Sequence, residues 1–187
     1  MVEESHLPLM ITVPGISDAE FLELCEKYEN YQVEYTADGE LLVMPPTDPV
    51  TGFRNTEITA QLRNWARPLK KGGVPDSSTG FVLKSGARLS PDAGFISHSR
   101  LSQKPMCPEF VVEFLSPSDR PKKTHSKMLE WIENGALLGW MINPKTQTVT
   151  IYRPGQDPET RTGLQELAGE GPVAGFILDL EPVWKPV

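Results

Sequence analysis

"FVVEFLSPSDRPKKTHSKMLEWIENGALLGWMIN", residues 110–143, sets two apolar strand-like runs on either side of one amphipathic segment. Phe110 to Leu115 and Leu137 to Asn143 read as strands. Between them "PKKTHSKMLEWIEN" reads as a helix, with Met128, Leu129 and Ile132 as its apolar stripe and Asn134-Gly135 as its stop. "SPSD", residues 116–119, is a turn and helix-cap signal ahead of it. A strand, a helix and a second strand in this order form a βαβ crossover, which places the two strands parallel in one sheet.

Glu113 interrupts the first strand. Side chains alternate along a strand, so Val111, Glu113 and Leu115 share one face and Phe110, Val112 and Phe114 the other. A carboxylate in such company costs on the order of several kcal/mol unless something pairs with it. A basic side chain, a proton or a metal ion would each serve. Glu113 also lies near the C-terminal end of its strand, the edge at which open α/β sheets bind ligands.

Upstream, Ser17 and Glu20 form a capping box and predict a helix over 17–29, with Phe21, Leu22, Cys25 and Tyr28 inward. "YQVEY" and "ELLVMPP" flank Asp38-Gly39, a hairpin signal. "PPTDPVTG" breaks the pattern, and "RNTEITAQLRNWARPLKK" predicts a helix with Ile58, Leu62, Trp65, Ala66 and Leu69 at helical spacing. "GGVPDSSTG" reads as a loop. "FVLK" and "ARLSPDAGFI" read as strands joined at Ser85-Gly86. Downstream, "TVTIYRP" pairs with "LLGWMIN" around Asn143-Pro144. The tail holds a short strand at Leu164–Leu167 and the apolar run "GFILDL". The economical assembly is a mixed α/β fold, a mixed β-sheet flanked by helices. The 187 residues suit one domain, with an N-terminal helix (residues 1–27) packed on a main region at 28–182.

A hydrophobic content of 39% is that of an ordinary globular chain, and no apolar run reaches the ~20 residues of a membrane helix. "MVEESHLPLM" matches neither a secretory signal nor a transit peptide, so a cytoplasmic location is expected. Cys25 and Cys107 make no disulfide framework and no CxxC or Cys/His zinc pattern; two reduced thiols are expected. The net charge of −7 argues against nucleic-acid binding by a broad basic surface and leaves a local patch or bridging cations. HExxH, GxSxG, P-loop and GxGxxG patterns are absent.

Asp92 is a second carboxylate in apolar company, after Pro91 and before Ala93, Gly94, Phe95 and Ile96. The proline confines it to an edge strand, a strand start or a bulge. Two strand carboxylates brought together repel, and a Mg2+ ion between them removes the conflict while making its bound water more acidic. A backbone carbonyl beside Glu113, such as that of Phe114, could complete such a shell. Lys127 borders the apolar stripe of its helix, so its stem can run over apolar surface toward the sheet edge and set an ammonium against developing charge. Glu57, near the start of its helix, is a fourth candidate. Taken singly, each has an ordinary reading. A strand Glu pairs with a base, an Asp after Pro turns the chain, a helix lysine is solvated, and a first-turn Glu answers the helix dipole.

"SPDAGFI", "PEFVVEFLSPSD", "SKMLEWIENGALLGWMINP" and "TVTIYRPG", with "DGELLVMPP", "RNTEITAQL" and "STGFVL", resemble the Uma-two family of putative restriction endonucleases over roughly residues 28–182. The resemblance implies the PD-(D/E)XK restriction-endonuclease-like core and Mg2+-dependent hydrolysis of DNA phosphodiesters, with Mn2+ as a possible substitute. Carried over by position, Pro91-Asp92 matches the PD and Glu113 the (D/E), the two metal-binding acids. The motif's lysine falls on Leu115 here, and Lys127 on the next helix matches the lysine thought to replace it in this family. Glu57 matches an acid that many such nucleases supply from an early helix. Three functions follow: a metal-dependent endonuclease, a catalytically silent nuclease-like binding or assembly module, or a metal-free carboxylate hydrolase. Edge strands and "GFILDL" suggest a homodimer.

Overall fold

The computed structural model describes residues 9–115 and 121–186; the cap signal at 116–119 lies outside them. In chain order the elements are β1 (Leu9–Thr12), α1 (Asp18–Lys27), β2 (Gln32–Tyr35), β3 (Glu40–Met44), α2 (Pro49–Leu69), β4 (Gly72–Gly73), β5 (Phe81–Val82), β6 (Arg88–Leu89) and β7 (Ala93–Ser97). Then come β8 (Phe110–Phe114), α3 (Pro121–Glu133), β9 (Leu138–Asn143), β10 (Thr148–Tyr152), β11 (Glu159–Thr162), β12 (Glu166–Ala168), β13 (Ile177–Asp179) and α4 (Glu181–Trp184).

The crossover is present: β8 and β9 run parallel, Phe110 opposite Leu138 and Glu113 opposite Met141. They are the inner strands of a six-stranded sheet ordered β11-β10-β9-β8-β7-β4. The hairpin strands belong to a second, five-stranded sheet ordered β1-β3-β2-β6-β5, and β12 and β13 form a third pair. The fold is mixed α/β, with mixed sheets flanked by helices.

The alternation along β8 decides what each face buries. Phe110, Val112 and Phe114 pack into a cluster with Ile58, Leu62 and Ala66 of α2, Trp140 of β9, and Phe176, Leu178 and Leu180 of the tail. Val111 faces the other way, into a cluster with Met128 and Trp131 of α3 and Phe81. The helix α3 rests directly on β9: a Cβ added at Gly139 would lie 2.3 Å from Met128 Cε. At the hairpin Gly39 takes φ +81°, a left-handed conformation open to glycine at no steric cost.

Several boundaries differ from the sequence reading. The "TDPV" stretch opens α2 five residues earlier than expected. Asp48 caps the helix, its carboxylate accepting from Val50 and Thr51 N–H, and Pro49 occupies the first turn, where its missing N–H costs nothing. In α1 the capping box forms, but the helix buries no residue and Leu22, expected inward, is 60% exposed. "ARLSPDAGFI" is two strands, not one: β6 belongs to the hairpin sheet and β7 to the main sheet, and the chain changes sheets at Ser90-Pro91-Asp92. Gly72–Gly73, read as loop, pairs with β7. The tail strand read at Leu164–Leu167 is β12 at Glu166–Ala168. The run "GFILDL" is spent inside the chain, with Phe176, Leu178 and Leu180 in the core and Ile177 exposed, so that run supplies little apolar surface for a second copy. Cys25 and Cys107 are both free thiols. Among the described residues no helix is long and apolar enough to cross a membrane.

Candidate active site

The change of sheet puts Pro91-Asp92 at the start of β7. With Ala93 opposite Val112 in antiparallel register, Asp92 falls opposite Glu113. The two carboxylates that the sequence singled out are therefore neighbours. Each is held by short hydrogen bonds. Asp92 Oδ2 accepts the Phe114 N–H at 2.7 Å, and Oδ1 accepts Asn55 Nδ2 at 2.9 Å. Glu113 Oε1 accepts the Trp131 indole N–H at 2.8 Å.

Lys127 reaches the same place from α3. Its ammonium lies 3.0 Å from Glu113, 2.9 Å from Glu34 Oε1 and 2.8 Å from the Ser90 carbonyl. Two carboxylates and a carbonyl thus occupy the three N–H donors of the ammonium. Glu34 Oε1 also accepts the Ser90 N–H at 2.9 Å, which ties β2 to the residues just before Asp92. Asp92, Glu113 and Lys127 are thus brought together. Leu115, where the motif's lysine would fall, is half-buried, its N–H donating to the Ile142 carbonyl.

Glu57 is elsewhere. Its carboxylate accepts from Gln61, which is itself bonded through both ends of its amide to the backbone of Asp179 in β13. Two helical positions turn the direction by about 200°, so the α2 residue that meets the cluster is Asn55, not Glu57.

The electrostatics follow from burial. Glu34 and Glu113 are only 2% and 4% exposed. Burial pushes the Glu113 carboxyl up to about 8; Asp92 and Glu34 add to this, and Lys127 and the Trp131 N–H oppose it. Burial likewise raises Asp92, against the stabilising Phe114 N–H and Lys127. For Lys127 burial alone would favour the neutral amine, but Glu113 and Glu34 reverse that and hold the ammonium above its ordinary value. Three acids share one ammonium, and a proton on Glu113 makes up part of the difference at neutral pH.

Such a cluster suits a small hard cation. Among the described residues no three Asp, Glu, His or Cys side chains form a metal-holding group. The chemistry on offer is a two-carboxylate site, which Mg2+ accepts because it keeps several waters. Asn55, whose Nδ2 donates to Asp92, keeps one buried oxygen, Oδ1, without a hydrogen-bond partner among the described residues, an uncharged oxygen donor that is not yet engaged. The residues present fit the ion.

Glu34, Asn55, Ser90 and Trp131 were missing from the sequence reading. For two of them the signal was there. "VEY" at 33–35 repeats the pattern of "VEF" at 112–114, one acid between strand-forming residues. Asn55 lies on the buried stripe of α2 with Thr51, Ile58 and Leu62, a polar residue on an apolar face.

A family model, described as "Uma2: Putative restriction endonuclease", matches residues 18–181. The chain belongs to the Uma2 (Uma-two) family. Among solved structures, a putative nuclease of DUF820 from Anabaena variabilis superposes with a TM-score of 0.77 at 22% identity, covering 91% of this chain and 98% of that one. That likeness establishes the shared fold. A DrdV–DNA complex aligns over 55% of this chain and 9% of its own at a TM-score of 0.37 and 12% identity, too distant to argue from. No curated protein matches the chain in sequence.

Proposed function

We propose that this Uma2 protein is a divalent-cation-dependent endonuclease that hydrolyses DNA phosphodiester bonds at the Asp92–Glu113–Lys127 cluster. The observation that carries the reading is the convergence of two strand carboxylates and one helix lysine, from three separate stretches of the chain, on one buried cluster of acids. Family membership supports the reaction class.

Asp92 and Glu113 would hold Mg2+ or Mn2+. The bound ion supplies a more acidic water and a counter-charge for phosphate. The rest is the work of this chain. The Phe114 N–H and Asn55 fix Asp92; Trp131 orients Glu113. Lys127 sets its ammonium where charge develops on the attacked phosphate. Its donors are all engaged, so it contacts phosphate by giving up one acceptor, and Glu34 and the Ser90 carbonyl keep it in place when Glu113 lets go.

The test is cleavage of plasmid and of single-stranded DNA with Mg2+ or Mn2+, against Asp92→Ala and Glu113→Gln. Loss of cleavage in both variants is expected; full activity in Asp92→Ala would sink the assignment.

One observation favours a second reading, a silent nuclease-like binding or assembly module: Glu113 is already paired inside the protein with Lys127 and Trp131. Calorimetry separates the two. Mn2+ binding that Glu113→Gln abolishes supports the nuclease, whereas no divalent binding in the wild-type chain supports the silent module. Cleavage that survives EDTA would instead revive a metal-free carboxylate hydrolase.

A further inference from the structure

Asn55 carries an unanswered polar atom beside the cluster. The residue is 8% exposed, its Nδ2 donates to Asp92 at 2.9 Å, and its Oδ1 is buried with no hydrogen-bond partner among the described residues. Turning the amide over does not help, since Oδ1 would then face a carboxylate oxygen. A buried carbonyl without a donor costs on the order of 1–3 kcal/mol, and native interiors leave few such groups. No other buried side-chain nitrogen or oxygen among the described residues is left in this state.

The position is also rigid. Asn55 stands one turn beyond Thr51, whose hydroxyl is bonded to the capping Asp48 at 2.6 Å, and one turn before the fully buried Ile58. A side chain anchored this way holds its oxygen in a fixed direction.

We propose that Asn55 Oδ1 is a third oxygen of the divalent-cation site, alongside Asp92 and Glu113. The inference rests on the cation-site reading given above. Two features select a cation over a lone water. The amide that carries the oxygen is bonded through its nitrogen to Asp92, one of the two proposed ligands; and Asp92 stands opposite Glu113 on paired strands, with Glu34 on the same ammonium, so acids outnumber cations there. An amide oxygen is a hard, uncharged ligand of the kind Mg2+ and Mn2+ accept. It strengthens the site without adding to the repulsion between the two acids.

The experiment uses the full chain and Mn2+ alone as probe. Calorimetry gives the affinity, and 17O relaxation of water counts the waters on the bound ion. For Asn55→Ala the expected result is affinity weaker by about tenfold or more, with one additional water on Mn2+ in place of the amide oxygen. Weaker affinity with an unchanged water count would overturn the proposal, because Asn55 would then act only by positioning Asp92. Unchanged affinity and water count would overturn it as well. The cation-site reading fails separately: it falls if wild-type protein binds no Mn2+, or if Asp92→Ala binds it undiminished. Circular dichroism checks the fold, and should Asn55→Ala not fold, Asn55→Ser, which keeps a donor for Asp92, is read in the same way.

Discussion

Glu34 and Glu113 share one ammonium, and most of what individual substitutions should do follows from that. Replacing Lys127 with Met leaves two buried carboxylates without their cation. In metal-free buffer at pH 8 this should cost about 3–5 kcal/mol of stability by denaturant titration. At pH 5 the cost should be smaller, because protonation can neutralise the stranded Glu113. Glu113 has its own pH signature. Its folded-state value, about 8, lies above the ordinary 4.5, so the protonated form favours the fold. Its contribution is complete below about pH 4.5 and is lost as pH rises through 8. In EDTA the melting temperature of wild type should therefore fall across that window relative to Glu113→Gln, which cannot ionise; parallel curves would show that Glu113 ionises normally. At this scale only part of the cluster was legible in the sequence. Asp92, Glu113 and Lys127 announce themselves as charges beside apolar runs. Glu34 and Asn55 carry the same kind of signal, but their relevance depends on which sheet and which helix face approach Lys127, and that is a tertiary fact.

The elements were easier to read than their ends. The β8–α3–β9 crossover, the hairpin at Asp38-Gly39 and the capping box of α1 each rest on local chemistry, and each is present. The start of α2 was misread because Pro and Asp serve both as loop formers and as a first-turn residue and its cap. That cap is testable: Asp48→Ala should cost about 1 kcal/mol, seen as a melting temperature lower by several degrees. The two close-packed glycines should behave differently. A Cβ at Gly72 would lie 2.1 Å from the Ile96 carbonyl, backbone that cannot yield without breaking the β4–β7 pair. At Gly139 the obstacle is the flexible tip of Met128. Gly72→Ala should therefore lower the melting temperature more than Gly139→Ala, and the reverse order would mean that β4 is dispensable. The unforeseen strands β1 and β11 lie at sheet edges, where pairing depends on a neighbour rather than on local pattern.

At the scale of the whole molecule, the net charge of −7 bears on the proposed encounter with DNA. Like charges repel at long range, so in EDTA a fluorescently labelled oligonucleotide should show little anisotropy change with this protein. Adding Ca2+ should raise the signal, and Asp92→Ala should abolish that gain. Binding as tight in EDTA as in Ca2+ would point to a basic patch acting without any ion. The two main sheets meet at Ser90-Pro91-Asp92, and Lys127 spans the same junction, gripping Glu34 of the hairpin sheet and Glu113 of the main sheet. The ammonium is therefore a clasp as well as the proposed reagent. Opening it should let the β2–β3 amides exchange with deuterium sooner than those of β8–β9. A loss of cleavage in Lys127 or Glu34 variants would then mix lost chemistry with a loosened hairpin, and only the exchange map could apportion the two.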